Sequence, residues 1–238
     1  MKEIKYLETD DVFKIFHEHV LPNLIDEWKY CPLPMERNVK NWKWEGKDLP
    51  RVISLLEFDE FIQNNNLSFK KALCINGRDD PEYEYVSCSD GLIVNFEDDC
   101  INHDVQRLDI EEKGFDFCML NQTLEHLYDP LSALCHICDH MCPGGILYFN
   151  VPVINLPHGI PFHFYSGFTP TGIGTLLERA GFEILTIGQW GNKEYIKILF
   201  EEYDWPDYRK LINPGFSDRD HPVIAWAFAR KPCTKGEK

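Results

Sequence analysis

Across residues 115–185 the apolar positions switch between two periods. Short continuous apolar runs alternate with stretches in which an apolar residue returns every three or four positions. The runs Phe115–Leu120, Ile146–Val151 and Phe182–Ile187 predict buried strands. Helices are predicted between them, one opened by Pro130 and one by Thr169-Pro170. Proline is tolerated at a first helical position, where the missing N–H has no intrahelical partner to lose. Thr169 supplies an N-cap oxygen, and Gly181 stops the second helix. Pro143-Gly144-Gly145 reads as the turn that ends the first helix and starts the next strand. Strands alternating with helices predict an α/β fold with a parallel sheet covered on both faces. Function in such sheets sits in loops beyond the carboxyl ends of the strands.

The flanking chain continues the pattern. Residues 5–30 carry Phe13, Ile15, Phe16, Val20, Leu21, Leu24, Ile25 and Trp28 at helical spacing, interrupted near Pro22. Cys31–Pro50 is irregular, and Ile53–Asn64 reads as a helix. Strands are expected at Ala72–Ile75 and Tyr85–Cys88, with further short ones near Leu92–Asn95 and Ile101–Val105. Residues 193–211 look helical, broken near Trp205-Pro206, and Val223–Ala229 forms a last strand. The expected division is a helical N-terminal extension over 1–68, an α/β domain over 69–232 and a flexible tail over 233–238. The aromatic-rich extension, with Trp28, Tyr30, Trp42 and Trp44, reads either as a lid over a pocket or as helices packed on the sheet.

Composition narrows the partners. Thirty-nine acids against 24 bases give a formal charge of −15 over 238 residues. That field repels phosphate backbones and no basic stretch offsets it, so nucleic acid is not expected as a partner. The start MKEIKYLETDD has no apolar leader region, and no later run approaches spanning length. A cytoplasmic protein without membrane attachment is expected. The nine cysteines form an odd set, two of them inside strand-like runs, which does not suit a disulfide framework.

Several constellations offer chemistry. Ala72-Leu73-Cys74-Ile75-Asn76-Gly77-Arg78-Asp79-Asp80 is a strand running into a glycine turn, where backbone amides could approach a ligand. It also reads as an ordinary Asn-Gly turn. A GxGxxG fingerprint and a GxxxxGK[ST] loop are both missing, so NAD and ATP have no warrant. Cys135, His136, Cys138, His140 and Cys142 invite a zinc reading, but they lie in one helix and share an ordinary buried stripe. No metal is expected. The loop Pro157–Tyr165 follows the strand Ile146–Val151 and holds His158, His163 and Tyr165. These are the catalytic candidates, with either histidine able to act as general base near neutral pH. The same histidines could instead brace a long loop. Trp190, Asn192 and Tyr195 could line a far wall or pack in the core.

The order of these pieces resembles the class I S-adenosylmethionine-dependent methyltransferases, in particular those with a type 11 methyltransferase domain. FDFCMLNQTLEHLYDPLSAL (115–134), CPGGILYFNVP (142–152) and HFYSGFTPTGIGTLLERAGFEIL (163–185) carry the likeness. The resemblance implies a Rossmann-like, seven-stranded, mostly parallel sheet whose last strand inserts antiparallel. It also implies S-adenosylmethionine lying across the carboxyl ends of the first strands. Position by position, Asn76 and Gly77 match the glycine-rich first motif, which is degenerate here, with one glycine where relatives have two or three. Asp90 is the nearest match to the acid that binds the ribose hydroxyls, and Asp104 matches the acid that accepts from the adenine amino group. Asn121 and Gln122 match the loop facing the methionine part, while Glu125-His126 matches a pair that mostly shapes that loop.

The expected function is methyl transfer from S-adenosylmethionine to a hydroxyl or amine of a small molecule. The alternative is a catalytically inactive methyltransferase-fold module that binds or interacts, favoured by the depleted first turn. An NAD-dependent enzyme is the weakest of the three.

Overall fold

A computed structural model describes residues 5–24, 42–77, 79–86, 88–96 and 104–233, with residues 88–95 described by backbone alone. The sheet contains six strands: β1 (Phe69–Ile75), β2 (Cys88–Phe96), β3 (Phe115–Leu120), β4 (Met141–Pro152), β5 (Glu183–Gly191) and β6 (Pro222–Arg230). Their order is β2-β1-β3-β4-β6-β5. All pairings are parallel except those of β6, which lies antiparallel between β4 and β5. The antiparallel insertion is as expected. A seventh strand is not present among the described residues, and positions 101–103 of the strand expected at Ile101–Val105 lie outside them.

Side-chain alternation sends successive residues to opposite faces, and each face carries its own core. Leu73, Ile75, Leu147 and Phe149 join α3 (Pro130–His140), α4 (Pro170–Ala180) and the short α1 (Thr9–Ile15). Ala72, Cys74, Phe117 and Tyr148 join α2 (Leu49–Asn64) and α5 (Lys193–Glu202). Phe58 anchors α2 to the middle of the sheet, its ring 4.5 Å from that of Tyr148 and 6.2 Å from that of Phe117. Trp42 and Trp44 pack into this second core, whereas Trp28 and Tyr30 lie outside the described residues.

The predicted punctuation holds at α4. The Thr169 hydroxyl accepts from the Gly172 amide at 3.1 Å, and Gly181 closes the helix with φ of +86°. A side chain at that φ would be strained, so glycine is the natural stop. Two expectations need correction. Pro143-Gly144-Gly145 is not a turn between helix and strand. It lies inside β4, which starts at Met141, and forms an irregularity where pairing with β3 shifts register. Pro81–Tyr85 is a 3-10 turn, and the two short strands expected at 85–88 and 92–95 are one strand, β2. Pairing with β1 runs from Phe69 opposite Cys88 to Ile75 opposite Phe96, and its register shifts between Cys88 and Leu92, so that Asp90-Gly91 sits at an irregularity inside one strand.

Chain order reverses between β1 and β3, since β2 lies to one side of β1 and β3 and β4 to the other. Such a reversal leaves a crevice at the carboxyl edge. At the other side of the sheet, Gly188 pairs with Trp226, and a Cβ on it would lie 2.3 Å from the indole Nε1. Overpacking of this kind costs about 1–3 kcal/mol. Gly188→Ala is therefore expected to lower the unfolding free energy by an amount in that range, read from urea melts as a lower midpoint at an unchanged m-value.

Candidate functional site

The carboxyl edge of β1, β3 and β4 is held by one connected set of polar side chains. Arg51 comes from the first turn of α2, where a cation opposes the helix dipole and needs acidic partners. It finds them after β1. Its Nη2 donates to Asp80 Oδ1 at 3.1 Å and to Glu82 Oε2 at 3.0 Å, and its Nη1 donates to Asn150 Oδ1 at 2.8 Å. Asn150, near the end of β4, is fully buried and acts as the hub. Its Nδ2 donates to Glu82 Oε1 at 3.1 Å and to Asn121 Oδ1 at 3.0 Å, while its Oδ1 also accepts from Gln122 Nε2 at 2.8 Å. Asn121 completes the ring by donating to Asp80 Oδ2 at 3.0 Å. The set spans the crevice between β1 and β3.

Burial shapes the ionisation here. Glu82 is fully enclosed, and loss of hydration pushes its pKa up to about 7 despite the attraction of Arg51. Glu125 is likewise pushed up to about 7 by burial, and neither of its carboxylate oxygens has a hydrogen-bond partner among the described residues.

A cavity of about 360 Å³ opens beside this set, lined among others by Arg51, Gln122, Pro152, Asn155, Tyr195 and Trp205. That volume suits a small molecule. Glu45, Lys47 and Asp48, from the segment preceding α2, also line it. Acidic groups of this rim are tied locally: Asp48 Oδ2 accepts from the Glu45 amide at 3.0 Å, and Lys47 pairs with Asp204.

The expected site residues fall into separate places. Asn76, with φ of +50°, and Gly77 form the turn after β1, where the Asp80 amide donates to the Gly77 carbonyl at 3.1 Å. A Cβ on Gly77 would lie 2.6 Å from the Met119 methyl, so the glycine here serves close packing against β3. Asn121 and Gln122 stand in the polar set. Asp104 lies in the turn before β3, its Oδ1 accepting from the Gln106 amide at 2.9 Å and from Gln106 Nε2 at 3.0 Å. Asp90 is misplaced: it is the third residue of β2, level with the amino-terminal part of β1 and away from the carboxyl edge. The continuous strand moves its end to Phe96, and the acids of residues 97–99 that follow lie outside the described residues.

His158 and His163 do not line the cavity. They form a cluster with His126, with Nε2 of His126 and of His158 only 3.1 Å apart. Burial, with the neighbouring His158 and His126 imidazoles, holds the His163 pKa below its ordinary value. Tyr165 stands apart, its hydroxyl donating to the Tyr128 carbonyl at 3.1 Å. The sequence reading missed Arg51, Asp80, Glu82 and Asn150. The only local signal was a cation in the first turn of a helix and two acids flanking Pro81.

Residues 90–187 match a family model described as a methyltransferase domain. Over that segment the chain is similar to methyltransferase domains. β3, the polar residues Asn121, Gln122 and Asn150, the histidine cluster and α4 all fall within the matched segment. No curated protein matches the chain in sequence. Among solved structures, the chain is similar to phosphoethanolamine N-methyltransferase 2 of Haemonchus contortus in complex with S-adenosyl-L-methionine. Identity is 12%, over 75% of this chain and 52% of that one, with a TM-score of 0.49. It is also similar to the 1,6-didemethyltoxoflavin-N1-methyltransferase of Burkholderia thailandensis, at 14% identity over 75% and 78% of the two chains and a TM-score of 0.46. A third likeness is the [4+2]-cyclase SpnF, at 18% identity over 88% and 87%, with a TM-score of 0.46. All three are distant.

The raised pKa of Glu82 makes folding stability depend on pH with a definite sign. A carboxyl whose folded pKa is about 7 binds a proton more tightly when folded than when unfolded, where its value lies near 4.5. Its contribution to stability therefore falls as pH rises through that window. Glu82→Gln keeps an acceptor for Asn150 and removes the titration. The stability of the variant relative to wild type, from urea melts, is expected to rise steadily between pH 5 and pH 8.

Proposed function

We propose that the protein transfers a methyl group from S-adenosylmethionine to a hydroxyl or amine of a small molecule. The observation that carries this reading is the polar set at the β1/β3 crevice next to an open cavity. The donor set fits the amino-acid end of the cofactor. A guanidinium suits its carboxylate, a carboxylate pair suits its ammonium, and Asn121 and Gln122 supply neutral partners. Arg51 and Asp80 would hold that end by exchanging their mutual ion pair for pairs with the ligand. Asp104, from its turn, is assigned to the adenine amino group. The turn at Asn76-Gly77 is assigned to backbone contact with the cofactor, and the ribose acid falls to residues 97–99 rather than to Asp90. When bound, the cofactor supplies an electrophilic methyl group. The chain's own task is then to hold the acceptor in line and keep water out.

The cavity beside Gln122 is the acceptor site in this reading, and the segment around Glu45 and Asp48 is its cover, which takes the lid alternative for the N-terminal extension. Its carboxylates favour an acceptor carrying an amine and could take up its proton. His158, His163 and Tyr165, which stand off the cavity, are not assigned as base.

One observation favours a second reading. The Arg51–Asp80–Asn121 set is closed on itself, and Gly77 is packed against Met119, as a non-catalytic module would allow.

Calorimetric and thermal-shift titration with S-adenosylmethionine and S-adenosylhomocysteine separates the two. Binding with a raised melting temperature is expected, because a ligand of the native state stabilises it. Arg51→Met, which removes a hydrogen bond to a charged group worth about 1.5–3 kcal/mol, should weaken binding by roughly 10–100-fold. No response at millimolar ligand would sink the transferase reading and leave the module.

A further inference from the structure

The 124–126 turn and the long loop after β4 meet at three imidazoles. His126 belongs to the 3-10 turn Leu124–His126, and His158 and His163 to the loop between β4 and α4. Their candidate ligand atoms all lie within 4.8 Å of one another. Two independent features set this cluster apart from a merely packed one.

The first is the tautomer pattern. His126 Nδ1 lies 2.7 Å from the Phe162 carbonyl oxygen, and His158 Nδ1 lies 2.9 Å from that of Leu156. A carbonyl oxygen only accepts, so each Nδ1 carries its proton and Nε2 is left as the basic nitrogen of the neutral ring. The two Nε2 atoms face each other at 3.1 Å. Two lone pairs at that distance repel unless a proton or a metal ion lies between or beside them. Metal-bound histidines characteristically donate their other N–H to a carbonyl or carboxylate, which fixes the ring and raises its basicity. Both rings have such a partner here.

The second feature is His163. Its Nε2 is buried without a hydrogen-bond partner among the described residues, and its ring centroid is 4.6 Å from that of His158 and 5.4 Å from that of His126. Its Nδ1 has a contact of 3.4 Å from the His158 amide, at the limit of hydrogen bonding. Coordination through Nε2 requires the proton on Nδ1, and only this weak contact is given up.

We propose that His126, His158 and His163 bind one divalent first-row transition ion of the zinc class. Three imidazoles without a thiolate suit zinc, copper, nickel or iron rather than calcium or magnesium, which take oxygen ligands. Three protein ligands leave a tetrahedral ion one position for water or another small donor. The ion clamps the loop to the turn, reinforcing the bonds from the Phe164 and Tyr165 amides to the Glu125 carbonyl at 2.9 and 3.2 Å. It would also brace one wall of the cavity. His158 packs edge-on against Trp205, whose Nε1 donates to Asn155 Oδ1 at 3.3 Å, and both Trp205 and Asn155 line the cavity. The site does not depend on methyl transfer, and its test reads metal alone.

The full-length protein is stripped with a chelator, then titrated with Zn²⁺ by calorimetry and with Co²⁺ by absorption spectroscopy, and metal content is counted by elemental analysis. The expected result is one ion per chain, visible Co²⁺ bands of a four-coordinate site without the near-ultraviolet bands of thiolate ligation, and a raised melting temperature. His126→Asn and His158→Asn should each weaken Zn²⁺ binding by more than the roughly 10–100-fold that loss of an outer partner costs. Cys233→Ser, which removes the exposed thiol, should leave the stoichiometry intact. Three results overturn the proposal: no stoichiometric ion, thiolate bands in the Co²⁺ spectrum of the unaltered protein, or one-ion binding that the histidine substitutions leave unchanged. The spectrum of the unaltered protein decides the ligand type even if a substituted chain does not fold.

Discussion

A buried guanidinium organises the carboxyl edge of this sheet. Arg51 enters from the wrong end of a helix dipole and is largely out of water, so it must be neutralised and hydrogen-bonded in full. Asp80 and Glu82 supply charge from the segment after β1, and Asn150 supplies a neutral acceptor from β4. Breaking such a set leaves an uncompensated charge, at a cost of about 3–5 kcal/mol, so its members constrain one another strongly. α2, β1, β3 and β4 are thereby tied at one point, which is the point where the strand order reverses.

The two cores explain why that edge can hold polar groups at all. Phe58, Phe117, Tyr148 and Phe228 fill one face with stacked and tilted rings a short distance from Asn150. The Tyr148 hydroxyl ends this apolar layer by donating to the Ser54 carbonyl at 3.2 Å. Beyond it the polar set begins, and beyond that the cavity. The low-polarity surroundings that make the ion pairs strong also raise the pKa of Glu82, because hydration lost by a carboxylate exceeds what one guanidinium returns.

The loop after β4 is organised by different means. Two backbone amides bind the Glu125 carbonyl, and two imidazoles bind loop carbonyls through Nδ1. Its histidines are therefore oriented towards one another rather than towards the cavity. Trp205 stands between the cluster and the cavity wall, so any change in the cluster would reach the cavity through packing and not through direct contact.

Local chemistry made much of the architecture legible. Caps and first-turn prolines marked α3 and α4, and continuous apolar runs marked β1, β3, β4, β5 and β6. The likeness to methyltransferases was readable because the motifs that carry it follow one another over residues 115–185, inside the segment that the family model matches. β2 was harder to read, since Asp90-Gly91 carries turn chemistry and the strand takes it up as a register irregularity rather than ending there. The position of Asn121 and Gln122 at the end of β3 was legible because they directly follow a predicted strand. The places of Arg51, Glu82 and Asn150 in the polar set were not: each meets partners dozens of residues away, and no local period records such a meeting. The sequence by itself determined the alternation of strands and helices, because propensity, caps and apolar period act within a few residues. Only the tertiary structure decided which polar side chains share the crevice and which histidines face each other, because those neighbours are set by sheet order and loop path.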